Sequence, residues 1–451
     1  MKKLLIILFT TLFMLPLGSA VFAAGGAGPS KDLLKGVFLQ VDDVNHTALF
    51  KRDGTDQTMT LVLPTEMKAK DLPLDKKFMV NLDKHAGEGV IKDVSRMFLD
   101  MTPKNLLALI AVGLIGGLLS GFIGSGGAFV LTPAMMSLGA PGAVAVASNM
   151  CHKFPKAMVG TYKRWKYGQV DLKLAFTMAA TAIIGVQIGI KVQKAILHAW
   201  GNAGSNLYVS AVFVVVLVVV GGYVAYDAMK LAKGKDGDDT GHQTSKLALR
   251  LQKINLPPMM HFKVAKVRIS AWITIPVGLC TGLLAATIAV GGFVGVPGMI
   301  YVIGASAMVA SATELGIAFV MGAWGSLQWG LSGLIDIRLS LLLLSASLIG
   351  VQLGALGTTY VKDYIIKIVM ASVMLIVAVS RGVLVPGYLA DVGMRAPLDP
   401  AMARLFEQVS FWSLVTALLT SGIIITAAMI TGMSKAKKDE LELARQEVHN
   451  G

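Results

Sequence analysis

From Lys104 onward the chain is a succession of long apolar stretches, at 106–138, 142–162, 172–192, 207–226, 269–303, 305–330, 339–361, 365–385 and 409–433. A bilayer core about 30 Å thick needs about 20 apolar residues per helix, so most of these stretches predict one crossing each. The stretches 106–138 and 269–303 are longer and are cut by Gly124-Ser125-Gly126-Gly127 and Gly291-Gly292. Each of those two predicts a broken helix that dips in and returns. Ahead of them, 35–97 is polar, with period-two alternation at 36–41, 47–51, 57–63, 77–82 and 89–94, punctuated by Asp53-Gly54 and Gly87-Glu88-Gly89. That pattern predicts strands joined by hairpins into a small antiparallel barrel. His46 and His85 stand alone in it and read as solvated side chains. The first residues carry Lys2 and Lys3, an apolar run at 4–17 and small side chains at Val21 and Ala23. The run is short of a span, so 1–23 predicts a signal peptide cleaved after Ala23, with the strand region beyond it exported.

Composition agrees with the pattern. The chain is 54% apolar and only 15% charged, with a mean hydropathy of +0.66, well outside the range of soluble domains. Two cysteines, Cys151 and Cys280, exclude a disulfide scaffold and read as inert buried thiols. A net charge of +14 would suit nucleic acid, but its distribution points elsewhere. The loop 230–268 carries nine Lys plus Arg against three Asp, and 163–173 carries four more, the mark of cytoplasmic loops. An odd number of crossings must separate the exported strands from the 163–173 loop, and one crossing plus one re-entrant hairpin provides it. The same rule puts 333–338 and 386–408 outside and the tail with Lys435, Lys437 and Lys438 inside. Lys191 and Lys194, at an outer helix end, run against it.

An offset of 165 residues superposes the two membrane halves. Gly117 falls on Gly282, Gly126-Gly127 on Gly291-Gly292, Asp171 on Asp336, and Ile184-Gly185-Val186-Gln187-Ile188-Gly189 on Ile349-Gly350-Val351-Gln352-Leu353-Gly354. By the charge argument the first unit begins outside and the second inside, so the repeats are inverted, as in secondary transporters whose substrate binds between the repeats. Gly185 with Gly189 and Gly350 with Gly354 read as close helix packing. Gln187 and Gln352 read equally as path lining or as interhelical bonds.

The candidate chemistry lies at the breaks and beside them. Helices restarting near Gly127 and Gly292 leave backbone N–H groups and positive dipole ends in the bundle, which together make an anion site. Ser125 and Thr287 either add donors there or only satisfy broken backbone. Asn149, His152, Lys153 and Lys156 are spaced i, i+3, i+4 and i+7 on one helix face. Charges at mid-span are usually functional, and Lys153 is about 15 Å from Lys163, too deep for its side chain to reach the surface, whereas Lys156 reads as snorkelling. Asn149 maps onto Glu314, the only acid in 305–330. Glu314 is either an ion partner for Lys153 or a group that takes up and releases a proton. No catalytic set, metal-ligand spacing or cofactor motif stands out.

The run Gly116 to Gly127, then Pro133, 145–148 and Gly168-Gln169-Val170-Asp171, with Gly291-Gly292, Pro297 and Gly333-Leu334-Ile335-Asp336 in the second half, resembles the sulfite exporter TauE/SafE family of membrane permeases over about 105–385. The resemblance implies a bacterial inner-membrane exporter, without cofactor, of small sulfur oxyanions or organosulfonates such as sulfite, sulfoacetate or thiosulfate. The residues read as holding the anion are Ser125, Gly126, Gly127, Ser148, Asn149, His152, Lys153, Gly291, Gly292 and Thr313, with Glu314 as the proton-coupling candidate. His152, Lys153 and Glu314 depart from the family's commoner pattern, and the exported strands and the span 409–433 are additions to it. The expected architecture is an all-α polytopic membrane protein with inverted repeats and broken re-entrant helices, plus a small β-barrel-like exported domain. Its parts are 1–23 signal peptide, 24–100 periplasmic β domain, 105–229 first membrane repeat, 230–268 cytoplasmic basic loop and 269–385 second repeat. A periplasmic loop at 386–408, an additional helix at 409–433 and a cytoplasmic tail at 434–451 complete it. Expected partners are the anion, the lipid bilayer and a periplasmic protein docking on 24–100, with no nucleic acid. The alternative is a membrane sensor or interaction scaffold whose periplasmic β domain binds a partner.

Overall fold

The computed structural model describes residues 33–450 apart from 54, 65, 66, 68, 70, 71, 75, 83–88, 124–126, 233–245 and 359–362. The signal peptide, His85, Ser125 and Gly126 therefore lie outside the described residues. Five strands come first: β1 (Leu33–Asp42), β2 (Thr47–Arg52), β3 (Thr58–Val62), β4 (Lys77–Leu82) and β5 (Ile91–Arg96). They fall where the period-two alternation places them and pair antiparallel in the order β3-β2-β1-β4-β5. Leu34, Phe38, Phe50, Phe78 and Val80 bury one face, with the Phe38 ring edge-on to Phe50 and Phe78 at 5.1 and 5.3 Å.

The expected barrel does not close. The outer strands meet at one bridge, Val62 with Val90, instead of along a ladder. With β3 only five residues long and β5 starting one residue past that bridge, the two edges share no further pairs among the described residues.

The membrane part is α1 (Pro103–Ile123), α2 (Ala128–Ser137), α3 (Gly142–Lys166), α4 (Leu172–Ala232), α5 (Lys246–Gln252), α6 (Ala271–Ile288), α7 (Gly292–Gly298), α8 (Ala307–Leu331), α9 (Ile337–Thr358), α10 (Asp363–Asp391) and α11 (Pro400–Asn450). Seven of these are long and apolar enough to cross a bilayer. α4 is two helices in one run. Gly201, at φ 61° and ψ −154°, reverses the chain, a backbone geometry that side chains rarely tolerate. Gln193 Nε2 donates to Ser205 Oγ at 3.0 Å across that turn, whereas a straight helix would hold the two residues about 18 Å apart. A short hairpin, β6 (Met259–Phe262) and β7 (Val267–Ser270), precedes α6.

The repeat read from the sequence is present in the packing. α9 lies along α1 and the first half of α4 along α6, while α3 packs on α8 and the second half of α4 on α10. The crossings match contact for contact. A Cβ on Gly350 would sit 2.1 Å from the Leu114 carbonyl, and one on Gly185 would sit 2.1 Å from that of Leu279, its mate at the same offset. Likewise Gly117 backs onto the Ser347 carbonyl and Gly282 onto that of Ala182. These glycines are close-packing residues. The pairs also show that each repeat lends a helix to the other, so the halves interlock.

The repeats run in opposite senses. The 333–336 turn lies beside the five-stranded sheet, where Lys35 Nζ donates to the Ser332 carbonyl at 2.6 Å and Arg338 to that of Leu99 at 3.5 Å. Its mate, the 168–171 turn, lies beside the β6–β7 hairpin, where Asp171 accepts the N–H groups of Val264 and Ala265 at 3.0 and 3.1 Å.

Candidate functional site

The centre of the bundle is built from the two breaks and the two helices that cross behind them. α2 begins after Gly127, whose hypothetical Cβ would fall 1.9 Å from the Gly116 carbonyl, so only glycine lets the chain turn back against α1. α7 begins after Gly291, which turns back against the Thr281 carbonyl in the same way, and it runs on into a wider π turn, Met299–Ile303. Both starts have glycine at the cap position, so neither cap residue has a side chain to bond the first N–H groups. The two re-entrant segments touch through Phe129 and Phe293, both buried, with ring centroids 5.0 Å apart.

Asn149 and Glu314, mates at the offset of 165, each serve the re-entrant segment of their own repeat. The buried Asn149 carboxamide donates to the Ala128 carbonyl at 3.0 Å and to Thr132 Oγ1 at 2.7 Å, holding the first turn of α2. Its oxygen takes the Nδ1 proton of His152 at 3.1 Å, and His152 Nε2 meets Ser347 Oγ on α9 at 2.9 Å. Glu314 lies against Gly295 of α7 and is 4% exposed, yet neither of its oxygens has a hydrogen-bond partner. Lys153 is the cation that acts on it through space, without a contact inside 4.0 Å. Lys156 donates to Ser120 Oγ on α1 at 3.2 Å. Four polar side chains of one helix face thus point at α1, α2, α8 and α9 together.

Ser148 and Thr313 are placed differently from the other candidates. Ser148 Oγ accepts the backbone N–H of Asp336 at 3.0 Å, and Thr313 Oγ1 accepts that of Asp171 at 3.1 Å. The two bonds are mates under the same offset. Each hydroxyl is fully buried and pins the turn that follows α3 or α8 in the other repeat. Asp336 is held further by Arg338, whose Nε and Nη2 donate to it at 3.0 and 2.9 Å.

The structure therefore brings Asn149, His152, Lys153, Gly127, Gly291, Gly292 and Glu314 to one region and gives Ser148 and Thr313 a bonding role at its two ends. Gln187 accepts from Trp324 at 3.3 Å, which is the interhelical reading, and Gln352 is exposed. Thr287 bonds only its own helix carbonyl at Leu284. Sequence reasoning missed Ser120, Thr132 and Ser347. Single hydroxyls in apolar helices carry no signal until the neighbouring helix is known.

The family model described as Sulfite exporter TauE/SafE matches residues 109–381, more than half of the chain. No curated protein and no solved structure gives a match.

Proposed function

This chain belongs to the sulfite exporter TauE/SafE family, and from that premise we propose that it exports one small sulfur-containing anion, such as sulfite, sulfoacetate or thiosulfate, by alternating access. Family membership already makes it a multi-pass membrane protein of a class that transports sulfite and related sulfur anions. The observation that carries the finer reading is the basic face of α3. His152, Lys153 and Lys156 stand in the bundle beside two helix starts whose cap residues are glycines.

On this reading the anion approaches Lys153 and the backbone N–H groups near Gly127 and Gly292, where charge, dipole and unpaired donors have one sign. Asn149 and Ser347 hold both ring nitrogens of His152, so the ring walls that place and ties α3 to α9. Glu314 is the proton carrier. With no donor on either oxygen, its charge is balanced only through space by Lys153, so an anion that occupies Lys153 and a proton that occupies Glu314 are linked. Rocking of the interlocked repeats about α3 and α8 exposes the site alternately. The membrane is the bacterial inner membrane, with the five-stranded sheet in the periplasm and the C-terminus in the cytoplasm.

Uptake of labelled sulfite into proteoliposomes, with thiosulfate and sulfoacetate as competitors, tests this with and without a pH gradient. Flux should rise with the gradient in the wild type and lose that response in Glu314→Gln. Lys153→Met should abolish flux under either condition. Gradient-independent wild-type flux would remove the coupling role and keep the anion site. A protein that moves none of the three anions would refute the substrate.

A further inference from the structure

Arg381 is a second buried cation, outside the central region. It lies on α10, ten residues before Asp391 and about 15 Å along the helix from that end. Its side chain is 0% exposed, and no ion pair within 4.0 Å forms to it among the described residues. Nη2 donates to Ser137 Oγ at 2.5 Å, Ser410 Oγ at 2.9 Å and Ser380 Oγ at 3.3 Å. Nε and Nη1 have no hydrogen-bond partner.

A cavity of about 610 Å³ lies between the end of α2, α10 and α11, and two of the hydroxyls that bond Arg381 line it. Ser137 and Ser410 belong both to its wall and to the ring of hydroxyls on Nη2, so the cation stands directly behind that wall. Tyr388, one of its lining residues, faces Arg381 from two turns further along α10. Asp391 and Glu407 line the same cavity, and both carboxylates act on Tyr388. The mouth carries Phe411 and Trp412, which are 42% and 63% exposed, as aromatic side chains are where a helix meets the headgroup layer.

A guanidinium kept from water without a counter-ion is strongly destabilised, and such an intramembrane cation normally has an anionic partner. Its planar fork and three hydroxyls suit a tetrahedral oxyanion. The two carboxylates would repel a bare oxyanion, but they suit an ammonium group carried a few bonds away. We propose that this cavity binds a phosphoethanolamine group, with the phosphate toward Arg381, Ser137 and Ser410 and the ammonium toward Asp391 and Glu407. The same chemistry is available from the headgroup of phosphatidylethanolamine in the bilayer and from free phosphoethanolamine. The site stands apart from the central one, because Ser137 ends α2 about 14 Å from its start at Ala128. Seven of its sixteen lining residues come from α11, which lies beyond the family match.

The test uses the full-length protein. Native mass spectrometry after solubilisation from mixed phosphatidylethanolamine, phosphatidylglycerol and phosphatidylcholine bilayers reads lipid retention. Thermal denaturation reads the response to free phosphoethanolamine and to inorganic phosphate. Preferential retention of phosphatidylethanolamine, lowered at least tenfold in Arg381→Gln and lowered in Ser410→Ala, supports the site with lipid as its source. Stabilisation by phosphoethanolamine without a lipid adduct supports it with a solute as source. In Glu407→Gln the preference for phosphatidylethanolamine over phosphatidylglycerol should shrink while total lipid retention stays. Inorganic phosphate acting as strongly as phosphoethanolamine would overturn the ammonium half of the assignment. Wild-type protein that shows no lipid preference and no response to either solute would overturn the whole. The wild-type and Ser410→Ala arms decide the matter should Arg381→Gln not fold.

Discussion

The paired bonds from Ser148 to the Asp336 amide and from Thr313 to the Asp171 amide predict two local latches that can be released one at a time. Ser148→Ala leaves the Asp336 N–H buried without its acceptor, and Thr313→Val does the same to Asp171. Leaving one buried donor unsatisfied costs about 1–3 kcal/mol, which corresponds to about a 5- to 150-fold rise in local opening. The Ser148 effect should fall in the lower part of that range. Ser340 Oγ still donates to the Ser148 carbonyl at 3.0 Å, and Arg338 still grips Asp336. At the other end Asp171 retains its bonds from Leu174, Val264 and Ala265. Hydrogen exchange in lipid nanodiscs, followed on peptides covering 332–338 and 168–174, measures opening directly. Ser148→Ala should accelerate the first peptide alone, and Thr313→Val the second alone. Equal acceleration of both peptides by either variant, or of neither by both, would refute independent latches.

Gly127→Ala drives a Cβ to within 1.9 Å of a backbone carbonyl and should abolish accumulation of folded protein, whereas Gly222→Ala meets nothing within 4 Å and should be neutral or stabilising by up to about 1 kcal/mol; size-exclusion profiles and melting temperatures separate the two. Ser347→Ala removes the His152 Nε2 partner on α9, and the loss of one such bond should raise KM for the transported anion about 2- to 12-fold with the fold intact; an unchanged KM would mean that Ser347 does not position the ring. Burial, with Lys194 adding to it and Asp53 opposing it, holds the Lys35 ammonium down to a pKa of about 8 against the ordinary 10.5. The folded protein therefore binds fewer protons than the unfolded chain between those values, and Lys35 contributes stability that rises from about pH 8 to about pH 10.5. The melting temperature of Lys35→Met relative to wild type should accordingly fall as pH climbs from 7 to 10, and a pH-independent difference would sink that account.

The repeat was legible because close packing leaves marks in the sequence. Gly117, Gly185, Gly282 and Gly350 are glycine where two backbones touch, and the same touch recurs 165 residues on. The strands were legible from alternation, and the re-entrant breaks from glycine pairs. Other features depend on which helix lies alongside, which period and composition do not encode. Ser148 and Thr313 read as substrate hydroxyls in the sequence, and nothing there shows that each also accepts the backbone N–H of the opposite turn. The sheet's failure to close depends on five residues of β3 meeting one residue before β5, a matter of register more than pattern. Arg381 was the exception. A lone arginine in the apolar stretch 365–385 was a readable signal, but it had no repeat mate to draw attention to it, since the offset places Val216 there.

The frame is symmetric and the chemistry is not. At the shared offset Ser148 and Thr313 keep the same bond, yet His152, Lys153 and Lys156 face Ile317, Ala318 and Met321 as their mates. The alternating access proposed above requires two arrangements of the interlocked halves that differ little in packing, and matching crossings suit that requirement. The differences then fall on a few groups. Asp336 is held by an arginine at the sheet end, while Asp171 is held by backbone N–H groups at the hairpin end, so the two turns need not open at equal free energy. Among the described residues, the cations of the centre, Lys153 and Lys156, stand on α3 and its acid, Glu314, on α8, and those helices pack against each other. Motion of one repeat against the other therefore changes the separation of Lys153 from Glu314. An anion and a proton bound between them would each bias that motion, which is how a symmetric bundle acquires a preferred cargo.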